Sequence, residues 1–127
     1  MLYQLFAATC AAVILASCSG NSLTQPEQII FPDSAISYQT HVKPLLQLTC
    51  VFAGCHDSES KAGGTDLSTY FSMNERAGLI VPGKPDQSLL VQIVEGRQGH
   101  LLSFQQRINT AQKNGIRRWV LEGAKNN

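Results

Sequence analysis

Residues 50–56 read Cys50-Val51-Phe52-Ala53-Gly54-Cys55-His56, two cysteines with four residues between them and a histidine directly after the second. On a regular helix, residues five apart in sequence point roughly 140° away from each other. The two thiols therefore cannot share one face of a helix. They can converge only if the segment leaves helical geometry and bulges. Gly54 supplies the backbone freedom such a loop needs, because it alone of the intervening residues has no Cβ.

Three chemistries fit a converged Cys50/Cys55/His56 group. Covalent haem needs two thiols on one side of the porphyrin and an imidazole next in sequence to bind iron, usually as C-x-x-C-H. The separation here is wider than that pattern. A disulfide needs only Cα atoms within about 7 Å and an oxidising compartment. A structural zinc site needs four N/S ligands, so Cys55 and His56 would need help from distant His41 or His100. Spacing alone leaves all three open.

The N-terminus bears on the compartment. Residues 1–17, MLYQLFAATCAAVILAS, are apolar and uncharged. Such a stretch reads as an export signal and is short for a membrane span of about 20 residues. It ends in Leu15-Ala16-Ser17-Cys18, which resembles the lipobox of bacterial lipoproteins. The resemblance implies cleavage before Cys18, lipidation of that cysteine, and a chain anchored in the cell envelope, facing the periplasm or the cell surface. No Lys or Arg precedes the apolar run, a departure from the usual pattern. Cys10 then leaves with the signal, and Cys50 and Cys55 are the cysteines left for chemistry in the folded part.

The rest of the 127-residue chain suits one domain. Hydrophobic residues make up 43% and charged residues 15%, and the net charge of +1 argues against nucleic acid as a partner. The charge is uneven: residues 97–127 hold six of the ten Lys and Arg side chains but one acid, Glu122. That is a solvated basic helix or a patch that steers an acidic partner. Residues 18–35 read as the lipidated cysteine and a linker, with Ile29, Ile30 and Phe31 as an arm able to dock on the domain; residues 36–127 read as the domain.

Within the domain, Val42, Leu45, Leu46 and Leu48 mark a short helix, with Pro44 near its start or at a kink. Residues 57–88 read as loop, broken by Gly63-Gly64 and Val81-Pro82-Gly83. Asp86 is the expected N-cap of a helix over 87–95, with Leu89, Leu90, Ile93 and Val94 on one face and Gly96 at its end. Asn109 or Thr110 begins the last helix, where Asn109 and Gln112 fit a capping box and Ile116, Trp119 and Val120 form the apolar face. No strand alternation appears. The fold class is all-α, three to four short helices joined by long loops, a small core in want of a central staple.

Several segments occur in an order that narrows the choice. An apolar helix precedes the cysteines, AGGTDLSTY follows them, and Pro82-Gly83-Lys84-Pro85-Asp86-Gln87-Ser88-Leu89 opens the middle helix. Trp119-Val120-Leu121-Glu122-Gly123-Ala124 closes the last one. Over about residues 38–124 this resembles the small c-type cytochrome domain of planctomycete and Bacteroidota envelope proteins. The resemblance implies a cytochrome c-like fold around one covalent haem c held by Cys50 and Cys55, with His56 on the iron. It implies electron transfer to and from redox partners of the envelope, and no enzymatic conversion of a substrate. Leu67, Leu89, Leu90 and Ile93 are then expected to line the haem crevice, and Arg107, Arg117 or Arg118 to be exposed or to pair a propionate.

The family usually places a Met-Pro loop opposite the proximal histidine. Here that stretch is Gln98-Gly99-His100-Leu101-Leu102, so His100 is the expected second metal ligand. Met73, His41 and an open iron face are the other options. Two other readings of the whole chain stand beside electron transfer. One is a haem-free lipoprotein stapled by a Cys50–Cys55 disulfide and acting as a binding or assembly module. The other is a haem gas sensor or peroxidase-like protein with an open site.

Overall fold

The computed structural model describes residues 22–101 and 105–127. The signal-peptide reading of residues 1–17 and the lipidation of Cys18 lie outside the described residues. Within them there is no β-strand, and no helix is long and apolar enough to cross a membrane.

Four α-helices lie wholly inside the described residues: α1 (Lys43–Thr49), α2 (Tyr70–Glu75), α3 (Leu89–Val94) and α4 (Thr110–Leu121). The all-α expectation therefore holds. A π-helical turn, Tyr38–Val42, runs directly into α1, and Pro44 falls in the first turn of α1, where a missing N–H is tolerated. The capping box at the start of α4 is formed: the Asn109 side chain accepts from Gln112 N, and Gln112 Oε1 accepts from Asn109 N.

Two local readings are corrected. Asp86 does not cap the middle helix. Pro85–Gln87 forms a separate 3-10 turn, and the helix begins after Ser88, which stands at the N-cap. The reason is that Ser88 is fully buried: its Oγ accepts from Val81 N at 2.9 Å and donates to Lys84 O at 3.0 Å, tying the Pro82-Gly83 loop to the helix start. The stretch 57–88 is also less irregular than expected. It contains α2, started by a box in which Thr69 and Ser72 satisfy each other's backbone N–H.

Helix α4 packs against α3 and the π-helical turn. Ile116, Trp119 and Val120 point inward, each at most 1% exposed, to meet Tyr38, Val42, Leu45, Leu46 and Val91. The Tyr38 ring stacks on Trp119 at 5.8 Å and takes the Tyr70 ring edge-on at 5.2 Å. Trp119 Nε1 donates to Lys125 O at 2.9 Å, so the tryptophan is a core residue with its polar atom satisfied.

The segment before the π-helical turn is docked. Ile29 is buried, Phe31 is half-buried against α4, and Ile30 is exposed. Buried Gln112 reaches out from α4 and donates to Pro26 O at 2.7 Å and Ile29 O at 3.2 Å. Glu122, the one acid of the basic segment, accepts from Ala35 N and Ile36 N, each at 3.0 Å.

Candidate haem site

The cysteine loop grows out of the end of α1. Cys50 caps the helix, with its N–H still donating to Leu46 O at 2.8 Å. The chain then turns back on itself. Cys55 N donates to Phe52 O at 2.9 Å, which closes a four-residue turn, and Gly54 takes φ +81° within it. A left-handed residue at the third position is what a type II turn requires. His56 N then donates to Cys50 O at 3.3 Å. The two extra residues are thus absorbed in a tight turn, and both cysteines border one small cavity together with His56 and His100. They are free thiols, not joined to each other.

The neighbouring loop fixes His56. Ala62 N donates to Cys55 O at 2.7 Å, and Leu67 N donates to His56 O at 2.9 Å. His56 Nδ1 lies 3.1 Å from Thr65 O. A carbonyl only accepts, so Nδ1 carries the proton and Nε2 keeps its lone pair. A carbonyl accepting from the far ring nitrogen in this way fixes the tautomer and orientation of a metal-binding histidine. Asp66 locks the same turn from its other side, accepting from Ser68 N at 2.8 Å; this hydroxyl- and amide-bonded carboxyl is held below its ordinary range, chiefly by the Ser68 side chain.

His100 comes from the loop after α3. That loop is folded back by Arg97 N and Gln98 N, both donating to Gln92 O, and by Gln105 Nε2 donating to Ile93 O. The His100 and His56 rings lie side by side at the cavity, with centroids 5.8 Å apart and planes 32° from parallel. Two imidazoles on opposite sides of one metal ion, each nitrogen about 2 Å away, have ring centres about 6 Å apart. The observed separation matches. His100 Nδ1 is buried with no hydrogen-bond partner among the described residues, a situation that costs about 1–3 kcal/mol unless something fills it.

Between these groups lies a cavity of about 380 Å³, adjoined by the one of about 180 Å³ that the cysteines border. Leu67, Leu89, Leu90 and Ile93 all line the larger one, as the sequence led us to expect. Its walls are mostly apolar, with His56 and His100 as nitrogen donors and Cys50 as a thiol. Burial pushes the Cys50 thiol up, partly offset by its 3.3 Å contact with Thr49 Oγ1. Two converging thiols, two neighbouring imidazoles and apolar walls fit a haem c.

The other proposed ligands are elsewhere. Met73 is fully buried in the core and does not line either cavity. His41 Nδ1 accepts from Ser37 N at 3.0 Å and its ring packs on Phe31. Arg117 is bound by Asp86 and Glu95, and Arg118 by Glu122. The residues that sequence reasoning missed are Thr65, whose backbone carbonyl orients His56, and Arg76, whose guanidinium lines the larger cavity. Neither carries a local sequence signal, since both reach the site through loop conformation.

No curated protein and no solved structure is significantly similar to the chain. Residues 53–101 match the family model described as Planctomycete cytochrome C. The matched span contains Cys55, His56, the Pro82–Leu89 segment and His100; it begins after Cys50 and ends before the last helix. The match covers well under half of the chain; on a strand-free fold of short helices and long loops, it makes this stretch similar to a small cytochrome c domain of the planctomycete type.

Proposed function

We propose that the protein is an electron carrier of the cell envelope, holding one haem through thioether bonds to Cys50 and Cys55, with His56 and His100 as the two axial ligands. The observation that carries this reading is the pair of imidazoles with centroids 5.8 Å apart at an apolar cavity that both cysteines approach. The bound haem supplies one-electron cycling of its iron. The chain supplies the rest: Thr65 O keeps His56 in the ligating tautomer, and leucine and isoleucine side chains keep water from the crevice. With His56 and His100 both holding the iron, no position would be left for a substrate, and the domain would pass electrons to partner proteins. The envelope location rests on the apolar leader and Cys18, which would tether the domain by lipid.

The test is to produce the full chain with a c-type maturation system, count covalent haem per chain from its alkaline pyridine spectrum, and record reduced spectra with and without carbon monoxide. We expect one haem, a six-coordinate low-spin spectrum, and little response to carbon monoxide until His100 is changed to Ala. Free thiols with no haem would refute the reading. A wild-type protein that takes up carbon monoxide as readily as His100→Ala would refute the ligand assignment and favour a sensor.

A further inference from the structure

The larger cavity has one permanent charge in its lining. Among the described residues bordering it, only Arg76 is a fixed cation, and none is Asp or Glu. Arg76 follows α2 and is half-buried, and it also borders a separate surface depression, so it stands at the boundary between crevice and solvent. Its Nη1 donates to Gly63 O at 3.0 Å and to the Thr65 hydroxyl. Both acceptors are neutral. Among the described residues, no carboxylate lies within ion-pair distance of the guanidinium, and Nε and Nη2 have no protein acceptor. The two glutamines of the lining are engaged elsewhere: Gln105 Nε2 donates to Ile93 O and Gln98 O, and Gln98 Nε2 donates to Gln92 Oε1.

A half-buried cation without a counter-charge is costly, and guanidinium is the side chain best shaped to grip a carboxylate with two parallel hydrogen bonds. The cavity also has polarity along its length. The cysteines lie at the end where the smaller cavity begins, and Arg76 does not border that end. A ligand that is apolar, anchored to sulfur at one edge and acidic at another fits this layout. We infer that Arg76 is a carboxylate-binding residue of the site and grips a propionate of the haem, so that Cys50 and Cys55 fix one edge of the ring and Arg76 the acidic edge. This rests on the haem reading above and adds a residue to it. Arg117 and Arg118, already paired with acids away from the cavity, are not the propionate partners.

The test compares holoprotein of wild type, Arg76→Lys and Arg76→Gln. Glutamine keeps a donor for Gly63 O and Thr65 Oγ1 but removes the charge; lysine keeps the charge and loses the fork. The readouts are the propionate bending band in the resonance Raman spectrum and the midpoint potential at fixed pH and salt. We expect Arg76→Gln to shift the propionate band and lower the midpoint, because losing a nearby cation favours Fe(III). Arg76→Lys should move the midpoint much less. A propionate band in Arg76→Gln identical to wild type, with haem attached, would overturn the assignment and leave Arg76 as a pin for the Gly63–Thr65 loop. A wild-type protein that acquires no haem would instead sink the cofactor reading itself, and this inference with it.

Discussion

Gly115 offers a substitution whose sign is set by one contact. It lies inside α4, where replacing glycine by alanine ordinarily gains about 1 kcal/mol of helix propensity. Here a Cβ would overlap the Phe31 ring and come within 2.7 Å of the Phe31 Cβ. The backbone of α4 is held by its own hydrogen bonds and by Trp119 and Ile116 in the core, so the phenylalanine must move. Fully burying such a ring is worth about 1.5–3 kcal/mol, and Phe31 is half-buried, so roughly 1–1.5 kcal/mol is lost if the ring swings out. The tilted contact with His41, centroids at 5.6 Å, goes too, at about 0.5–1.5 kcal/mol. If the displacement spreads along the arm, buried Ile29 and the Gln112 hydrogen bonds to Pro26 O and Ile29 O follow. We therefore expect Gly115→Ala to destabilise the holoprotein by about 0.5–2 kcal/mol after its better propensity is counted, and by more if the arm follows. In a Phe31→Gly background, which removes the Phe31 Cβ along with the ring, the clash is gone, and the same substitution should stabilise by up to about 1 kcal/mol. Urea unfolding followed by far-ultraviolet circular dichroism measures both legs. A stabilising Gly115→Ala in the wild-type background would refute the docked arm.

Three further outcomes follow from burial and charge. In the haem-free protein, iodoacetamide should label Cys55 before Cys50, because burial keeps the Cys50 thiol protonated; peptide mass spectrometry reads the order, and equal labelling would contradict the burial. Met73→Leu should leave the oxidised and reduced haem spectra unchanged and lower stability by less than about 1.5 kcal/mol, since the side chain is core and not a ligand; a loss of six-coordination would reverse that assignment. The Glu122 carboxyl is held below its ordinary value, first by Ile36 N–H, with Ala35 N–H and Arg118 adding to the effect. A depressed carboxyl contributes stability above its unfolded pKa, and the contribution is lost as pH falls through the folded value. Glu122→Gln should therefore remove part of the acid sensitivity seen below the usual carboxylate range in pH-dependent urea melts, and an unchanged acid limb would count against the contact.

What was legible in the sequence was mostly local. The α4 start was readable because Asn109 and Gln112 satisfy each other's backbone within four residues. The inward face of α4 was readable from helical spacing. Helix α2 was not, because it buries only Met73 and has no apolar period; its one signal was the Thr69–Ser72 pair. The α3 start was misplaced because the tertiary role of Ser88, reaching back to Val81, outweighed the local fitness of Asp86 as a cap. The site divides the same way. Cys50, Cys55 and His56 announce themselves by adjacency, while His100 could be nominated only by where a ligand loop usually falls. Arg76 had no signal, since only the folding of the 62–67 loop brings it to the cavity.

The absent Met-Pro loop is the departure with the largest consequence for the proposed carrier. Only one methionine follows the initiator, and packing removes it from consideration: Met73 is completely buried, its N–H donates to Thr69 O, and it borders neither cavity. The position opposite His56 therefore falls to His100 or to no side chain. An open position would let the His100 ring turn to water and satisfy its nitrogens. Instead its Nδ1 is buried with no partner among the described residues, and the ring centre lies 5.8 Å from that of His56. Holding an imidazole nitrogen that way is unfavourable in isolation, and an electron-pair acceptor bound in the cavity would offset the cost. With His100 on the iron, as proposed, a nitrogen would stand where a thioether would raise the potential of a c-type haem. The protein should accordingly titrate below a His/Met cytochrome c domain, and a His100→Met variant that binds iron should raise its midpoint. A midpoint unchanged or lowered by that substitution would show that His100 is not on the iron.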